Sequence, residues 1–567
     1  MCNIRIVDRA SVGGGHMKIG KRGWTIAGGS LVVVLAVGWY VFPRYAIQLP
    51  AMIQDWRDPI GPNQVVEWQS GPDAPAESRP PNIVLIVADD LGWNNITFNG
   101  GGVAGGTVPT PHIDSIAKSG LVLSHGYSGS GTCAPSRAAM MSGRYPTRFG
   151  FEFTPMPPGM AQITTRFAAE DENALRRTVL RDAPGEELHF TEMGMPQSEI
   201  SMGNLLQEAG YRTLHIGKWH LGETNGMAAY DQGFDESLLM ASGLYLDLDD
   251  PASVEARNDF DPIDRFLWAN MRFAVRKNGG PRFAPDRYLT DYFTDQAVKA
   301  IEANRNRPFF LYLAHWAPHT PLQATQEDYD ALSHIEDHTL RVYAAMIRAL
   351  DRGVGEVLAA LKENGLEDNT VVIFTSDNGG AHYIGLPEIN DPYRGWKATF
   401  FGGGIRVPFF VKWPAKIAPG LTYDHPVHHF DIYATAAAIA GAEVPRDRVV
   451  DGRNLLAVLD DAESPLHETL FWRSGHYQTV LHRGWKLQRT ERPDAVWLFD
   501  LENDRTEQNN LAAAMPEKVA ELAALLDAHN AEQAEPAWPS RVEMPVSIDK
   551  SLREPQAEDD EYIYWPN

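Results

Sequence analysis

From residue 81 onward, short apolar runs alternate with longer stretches of helical spacing, and no other feature constrains the fold as strongly. Residues 83–87, 309–313 and 371–374 are nearly continuous in apolar residues, chiefly Val, Ile, Leu and Phe, rather than alternating with polar ones, and 213–216, Thr-Leu-His-Ile, is a fourth, less apolar run. A strand that is apolar on both sides is covered on both sides, which is the condition of parallel strands in a helix-flanked sheet. Residues 340–361 read as one of the covering helices. The expected class is therefore α/β, a mixed sheet sandwiched by helices.

The two ends of the chain differ from this body. Residues 469–472, 477–481, 485–489 and 496–500 are short segments with tight polar connections, the pattern of a small antiparallel sheet, and an Ala-rich helix over 516–529 follows. At the other end, residues 24–42 carry no charge and follow Lys18, Lys21 and Arg22, a combination that reads as an uncleaved transmembrane anchor with its N-terminus inside. The expected organisation is a cytoplasmic segment 1–23, an anchor helix 24–42, a linker 43–80, a catalytic domain 81–465, a C-terminal subdomain 466–535 and an irregular tail 536–567. Such an anchor would hold the catalytic domain on the periplasmic or extracellular side of a membrane.

Asp and Glu total 74 against 50 for Lys and Arg, a net charge of -24. The whole molecule repels polyanions, which excludes nucleic acid as a natural partner. An anionic substrate needs a local cluster of basic groups to offset that field. The two cysteines, Cys2 and Cys133, cannot build a disulfide framework, so the fold relies on its core.

In open α/β sheets ligands gather beyond the carboxyl ends of the strands. The runs are followed there by Asp89 and Asp90, by Asp377 and Asn378, by Lys218 and His220, and by His315 and His319. An isolated Asp-Asp pair is more often a helix cap than a ligand pair. Two such polar pairs at two strand ends favour a hard cation bound through oxygen, Ca2+ before Mg2+. Cys133 stands at the start of a helical stretch in which Pro135 suits the first turn, so its side chain meets the positive end of a helix. By itself a cysteine there reads as a small buried hydrophobe.

Cys133-Ala134-Pro135-Ser136-Arg137 resembles the Cys-x-Pro-Ser-Arg signature of the type I, formylglycine-dependent, arylsulfatase-like sulfatases. Further blocks of that family stand in family order: Asp89-Asp90-Leu91-Gly92, Gly217-Lys218-Trp219-His220-Leu221-Gly222, Ala317-Pro318-His319-Thr320-Pro321-Leu322, Ser376-Asp377-Asn378-Gly379, and Lys397 ahead of Gly403-Gly404-Ile405-Arg406. The resemblance implies an alkaline-phosphatase-like fold and hydrolysis of sulfate esters by a formylglycine that a maturation enzyme makes from Cys133. It implies Asp89, Asp90, Asp377 and Asn378 as Ca2+ ligands, completed by residue 133. Arg137 and Lys218 would hold the formylglycine hydroxyls, and Lys218, His319 and Lys397 would surround the sulfate. His319 or Lys397 would protonate the leaving alcohol, and His220 would act as base in releasing sulfate. The expected substrate is a small sulfate ester or a sulfated glycan.

The same blocks serve formylglycine-dependent phosphonate monoester and phosphodiester hydrolases; Ser136 and the intact Gly217 to Gly222 block favour sulfate. A non-catalytic, membrane-tethered protein that binds sulfated glycans would be expected to lack the nucleophile or a metal ligand, and none is missing. Residues 151–195 and the acidic stretch 247–261 depart from the family and read as surface loops. His425, His428 and His429 invite a second metal, but they match no metal block of the family.

Overall fold

The computed structural model describes residues 46–76, 79–157, 159–170, 174–182 and 188–567. The segments expected as a cytoplasmic piece and an anchor, 1–23 and 24–42, lie outside the described residues. Among the described residues, no helix is long and apolar enough to cross a membrane.

A ten-stranded mixed sheet forms the centre. The four apolar runs become Asn82–Ala88, Arg212–Gly217, Phe309–Ala314 and Thr370–Ser376, all parallel, with Asn82–Ala88 between Thr370–Ser376 and Phe309–Ala314. Successive residues enter opposite cores. Ile83, Leu85 and Val87 pack into one apolar cluster, and Val84, Ile86 and Ala88 into the other. Their lack of alternation is thus explained by helices on both faces, among them His338–Glu363 and Leu289–Asn304 on one face and Cys133–Ser142 on the other.

Register matters more for function than the strand count. Ala88 pairs with Ser376, and Ala314 with both Val87 and Gly217, so these four strands end level at one edge. The next residues of each chain segment, Asp89, Asp377, His315 and Lys218, therefore emerge side by side.

The C-terminal subdomain matches the expectation in its strands Thr469–Ser474, Tyr477–His482, Trp485–Glu491 and Asp494–Asp500 and in the helix Pro516–Asn530, with Val480, Leu487, Leu498, Leu522 and Leu526 as its own small core. Three segments differ from expectation. The tail is not wholly irregular: Val542–Ser547 and Tyr562–Pro566 pair antiparallel, and Val179–Leu180 joins them. Val542, Val546 and Ile563 are buried in this sheet, but Glu543 is buried beside Val542 and Met544 is not, so no clean two-residue period marks the strand in the sequence. The stretch 43–80 contains a helix, Leu49–Arg57, that packs on the body rather than spanning open solvent. In the acidic stretch, Ser253–Ala256 pairs with Leu322–Thr325, and Asp261 caps the helix Pro262–Asn270 by accepting from the Ile263 and Asp264 amides. Asp264, just beyond the stretch, accepts a 2.7 Å bond from Thr320, so Asp261 and Asp264 are buried while Asp247, Asp249 and Asp259 stay exposed.

The subdomain is tied to the body by Glu507. Its carboxylate lies 2.7 Å from Lys486, both side chains 1% exposed, and it also accepts from the Gly402 amide. Removing one partner of such a pair strands a buried charge. Glu507→Ala is expected to lower unfolding free energy by about 3–5 kcal/mol in denaturant titration. A loss below ~1 kcal/mol would show that water reaches Lys486.

Candidate functional site

The helix Cys133–Ser142 begins at the strand-end edge, with all ten residues buried. Cys133 is its first residue, and Arg137, four positions on, shares its face. Cys133 Sγ lies 3.5 Å from Asp89 Oδ1 and 3.8 Å from Asp90 Oδ1. Burial, then the nearby Asp377 and Asp89 carboxylates, push the thiol well above the usual cysteine range. An unmodified thiol held in this way is a poor nucleophile, since the thiolate is the reactive form.

Arg137 is buried completely and bridges the carboxylates of two strands. Nε donates 2.9 Å to Asp377 Oδ2, and the terminal nitrogen lies 2.8 Å from Asp89 Oδ2 and from Asp377 Oδ2. Its other nitrogen donates to Tyr312 and to the Lys218 carbonyl. Lys218 Nζ sits 2.7 Å from Asp89 Oδ2 and over the Trp316 ring. Two carboxylates so close and so dry divide their titration. Burial and the Asp377 charge raise Asp89 to about 6, whereas Asp377, despite its burial, is held below the usual carboxylate range by Arg137, Lys218 and Lys397.

A second set of groups converges on Asp90. Its Oδ2 accepts from Lys397 Nζ at 2.9 Å and from Tyr383 at 3.3 Å, and its Oδ1 accepts from Asn378 Nδ2 at 2.7 Å. Lys397 Nζ also reaches His319 Nε2 at 3.1 Å. The other His319 nitrogen, Nδ1, faces the Thr320 carbonyl, so it carries the ring proton and Nε2 accepts from the ammonium. Burial, then Lys397 and Lys218, depress the His319 pKa, which agrees with a neutral ring. Trp316 stacks on that ring at 3.9 Å.

The donor set suits a hard cation. Asp89, Asp90, Cys133 and His319 offer ligand atoms within 4.8 Å of one another, and Asp377 joins them through the Asp90 amide at 3.2 Å. The decisive atom is Asn378 Oδ1, which is buried without a hydrogen-bond partner while Nδ2 of the same amide is satisfied. A buried carbonyl oxygen without a donor, beside three carboxylates, is a place for a cation. His319 lies near enough to take part, but its Nε2 already accepts from Lys397, and hard cations prefer oxygen.

His220 occupies a left-handed backbone conformation, φ 62°, as does Asp90 at φ 59°. Such conformations cost about 1–3 kcal/mol for residues other than glycine and persist where position matters. The buried His220 Nδ1 has no partner, and burial, then Lys218 and Arg137, keep its ring neutral. Gly217 makes the preceding turn possible: its φ is +109°, and a Cβ would stand 1.9 Å from the Ala314 carbonyl oxygen. Among the sequence-derived residues, Asp89, Asp90, Cys133, Arg137, Lys218, His319, Asp377, Asn378 and Lys397 form one contact network, and His220 follows Lys218 by two positions without a direct bond to it. Arg137 bonds the carboxylates rather than residue 133. His315 stays apart, with neither ring nitrogen paired.

Two participants, Tyr383 and Tyr312, escaped the sequence reading, and a third, His429, entered it only as an unsupported metal ligand. Tyr383 and Tyr312 hold site groups through their hydroxyls, and no spacing marks them. His429 is the third: Nδ1 lies 3.1 Å from Ser136 Oγ, and Nε2 lies 3.1 Å from Thr375 Oγ1, so it joins the Cys133–Ser142 helix to the strand that carries Asp377. This occupies both ring nitrogens of His429. His428 packs against Phe430 with the rings tilted by 33°, and its Nδ1 accepts from the Phe430 amide.

The family model described as Sulfatase matches residues 81–442, and that of the C-terminal part of N-sulphoglucosamine sulphohydrolase matches 395–533. Mouse N-acetylgalactosamine-6-sulfatase is 32% identical over 388 residues, covering 67% of this chain and 66% of that protein. Mouse steryl-sulfatase is 31% identical over 488 residues, 75% of this chain and 71% of that protein. The crystal structure of Ps i-CgsB in complex with k-i-k-neocarrahexaose superposes with a TM-score of 0.66 at 31% identity, covering 81% of this chain and 95% of that one.

Arg137→Met keeps most of the volume at its site and removes the guanidinium that Asp89 and Asp377 share. The two carboxylates then face each other without it, and unfolding free energy measured in chelator is expected to fall by about 3–5 kcal/mol. A variant as stable as the parent would show that Lys218 alone balances the pair.

Proposed function

The chain belongs to the sulfatase family, hydrolases of sulfate esters, and on that premise we propose that it cleaves sulfated glycans with a formylglycine made from Cys133 by a maturation enzyme and a Ca2+ ion held by Asp89, Asp90, Asp377 and Asn378. The observation that carries the reading is the partnerless Asn378 Oδ1 among three buried carboxylates, two of which, Asp89 and Asp90, lie against Cys133 Sγ. The glycan assignment draws on the names of the relatives, a galactosamine sulfatase and a carrageenan-bound structure.

Cys133 Sγ stands where the oxygens of the modified residue would be. The aldehyde hydrate supplies an oxygen nucleophile and a second hydroxyl that later permits release. A cation held by Asp89, Asp90, Asp377 and Asn378 would supply Lewis-acid charge that favours an ionised nucleophile. Lys218 and Lys397 bind the sulfate oxygens, and Arg137 keeps the two strand-end carboxylates oriented. The proton for the leaving alcohol comes from Lys397 Nζ, 3.1 Å from His319 Nε2; giving it up leaves a neutral amine that can still donate an N–H to the neutral ring. His220, neutral and with its Nδ1 free of partners, is the base for the release step. The charge-free run 24–42 with its basic flank supports a membrane anchor that leaves the catalytic domain on the periplasmic or extracellular side.

Chelation is expected to abolish turnover of sulfate esters, and Asp377→Ala to lose both metal and activity, read by metal analysis and steady-state rates. Activity that survives complete metal removal would overturn the cation assignment.

Mass spectrometry of the peptide around residue 133 should find an aldehyde or its hydrate in place of the thiol. Cys133→Ala should remove turnover while thermal unfolding stays close to the parent, because a small side chain there loses little packing. Steady turnover by protein whose Cys133 is entirely thiol would refute the mechanism, and faster cleavage of phosphonate than of sulfate aryl esters would reassign the substrate class.

A further inference from the structure

The helix Leu49–Arg57 presents two unlike faces. One is fixed to the body. Ala51 is 2% exposed, Asp55 lies 2.8 Å from Arg272 and 3.1 Å from Arg282, and Asp58 pairs with Arg276 and Arg282. Asn270 donates to the Ile47 carbonyl, and Gly61 bridges to Phe283 at the outer strand of the large sheet.

The other face carries Leu49, Met52, Ile53 and Trp56, which are 44%, 53%, 42% and 82% exposed. Their spacing of i, i+3, i+4 and i+7 makes one apolar stripe. Scattered exposed apolar residues are ordinary, but a continuous stripe ending in a nearly naked tryptophan marks a contact surface.

We propose that this stripe lies in the interfacial layer of a lipid bilayer, the one that residues 24–42 would span, so that the catalytic domain is seated on the membrane rather than swinging from a tether. The inference rests on the anchor reading given under Proposed function. Phe42, the last residue of the charge-free run, and Leu49 are seven positions apart, a reach of about 25 Å even when fully extended. The helix therefore cannot leave the neighbourhood of a bilayer that holds the run. Its composition fits the interface: Leu, Met and Ile for the acyl boundary, with Trp56 and the exposed Arg57 at the end, where aromatic and basic side chains meet headgroups. The net charge of -24 opposes adsorption to anionic lipid, so apolar burial has to carry the contact. Because Asp55 and Asp58 lock the opposite face to three arginines, seating the helix also orients the domain.

The test uses the full-length chain with Cys2→Ser and Cys133→Ala, reconstituted in phosphatidylcholine vesicles and carrying a nitroxide at Ile53→Cys. A second sample carries it at Glu443→Cys, whose parent side chain is 80% exposed. Flotation reports the anchor, and spin relaxation by oxygen and by a polar nickel chelate reports the surroundings of each label. The expected result is co-flotation, with an oxygen-to-nickel accessibility ratio several-fold higher at position 53 than at 443. Co-flotation with equal ratios would overturn the inference and leave the anchor standing. Low accessibility to both reagents at 53 would overturn it in favour of a protein covering, such as a second copy. Failure to float would overturn the anchor and this inference together.

Discussion

The centre of this molecule depends on two carboxylates that the sheet forces together out of water. Because Ala88 and Ser376 are paired in parallel strands, Asp89 and Asp377 have to be neighbours, and both are fully buried. In a poorly polarisable interior their repulsion would be severe. Arg137, one helical turn after residue 133, settles it by bonding both, and in doing so fixes the start of its helix against two strand ends. Position of the nucleophile and neutralisation of the carboxylates are therefore one structural fact.

Charge counting shows what the site is made to receive. Asp89, Asp90 and Asp377 face Arg137, Lys218 and Lys397, so three formal negative charges meet three positive ones. A bound divalent cation would leave the site net positive inside a protein of net charge -24, which is the condition for drawing in an anionic ester. The Lys397, His319 and Asp90 contacts belong to the same balance. Asp90 keeps the lysine charged, and burial together with that lysine keeps the histidine neutral.

Elements far from the strand ends hold this arrangement in place. Glu507 reaches from the C-terminal subdomain to the Gly402 amide, close after Lys397, and Arg394 donates to the Glu507 carbonyl. Asp264 holds Thr320 beside His319 from the helix Pro262–Asn270. That helix also receives the N-terminal helix Leu49–Arg57, so the surface that we place at the membrane and the residue next to the proton-transfer pair are supports on one element. The subdomain and the acidic insertion thus position side chains of the site, although neither contributes a ligand or an acid.

Much of the site could be read along the chain because its chemistry is carried by local blocks. Strand, polar pair and helix start are each short, and although one Asp-Asp pair alone reads as a helix cap, two polar pairs at two strand ends read as ligands of a cation. The apolar runs also determined the α/β class, since a strand apolar on both sides has to be covered twice. Only the tertiary structure decided which atoms bond. That Arg137 serves the carboxylates, that Lys397 donates to His319, and that His429, Tyr312 and Tyr383 hold site groups depends on contacts between residues tens to hundreds of positions apart. The same holds for the tail, read as irregular, where Val542–Ser547 pairs with Tyr562–Pro566, and for Asp264, whose partner Thr320 lies 56 positions away. A local pattern records what a segment needs, namely cover, a cap or a counter-charge, whereas register and packing choose the partner that supplies it.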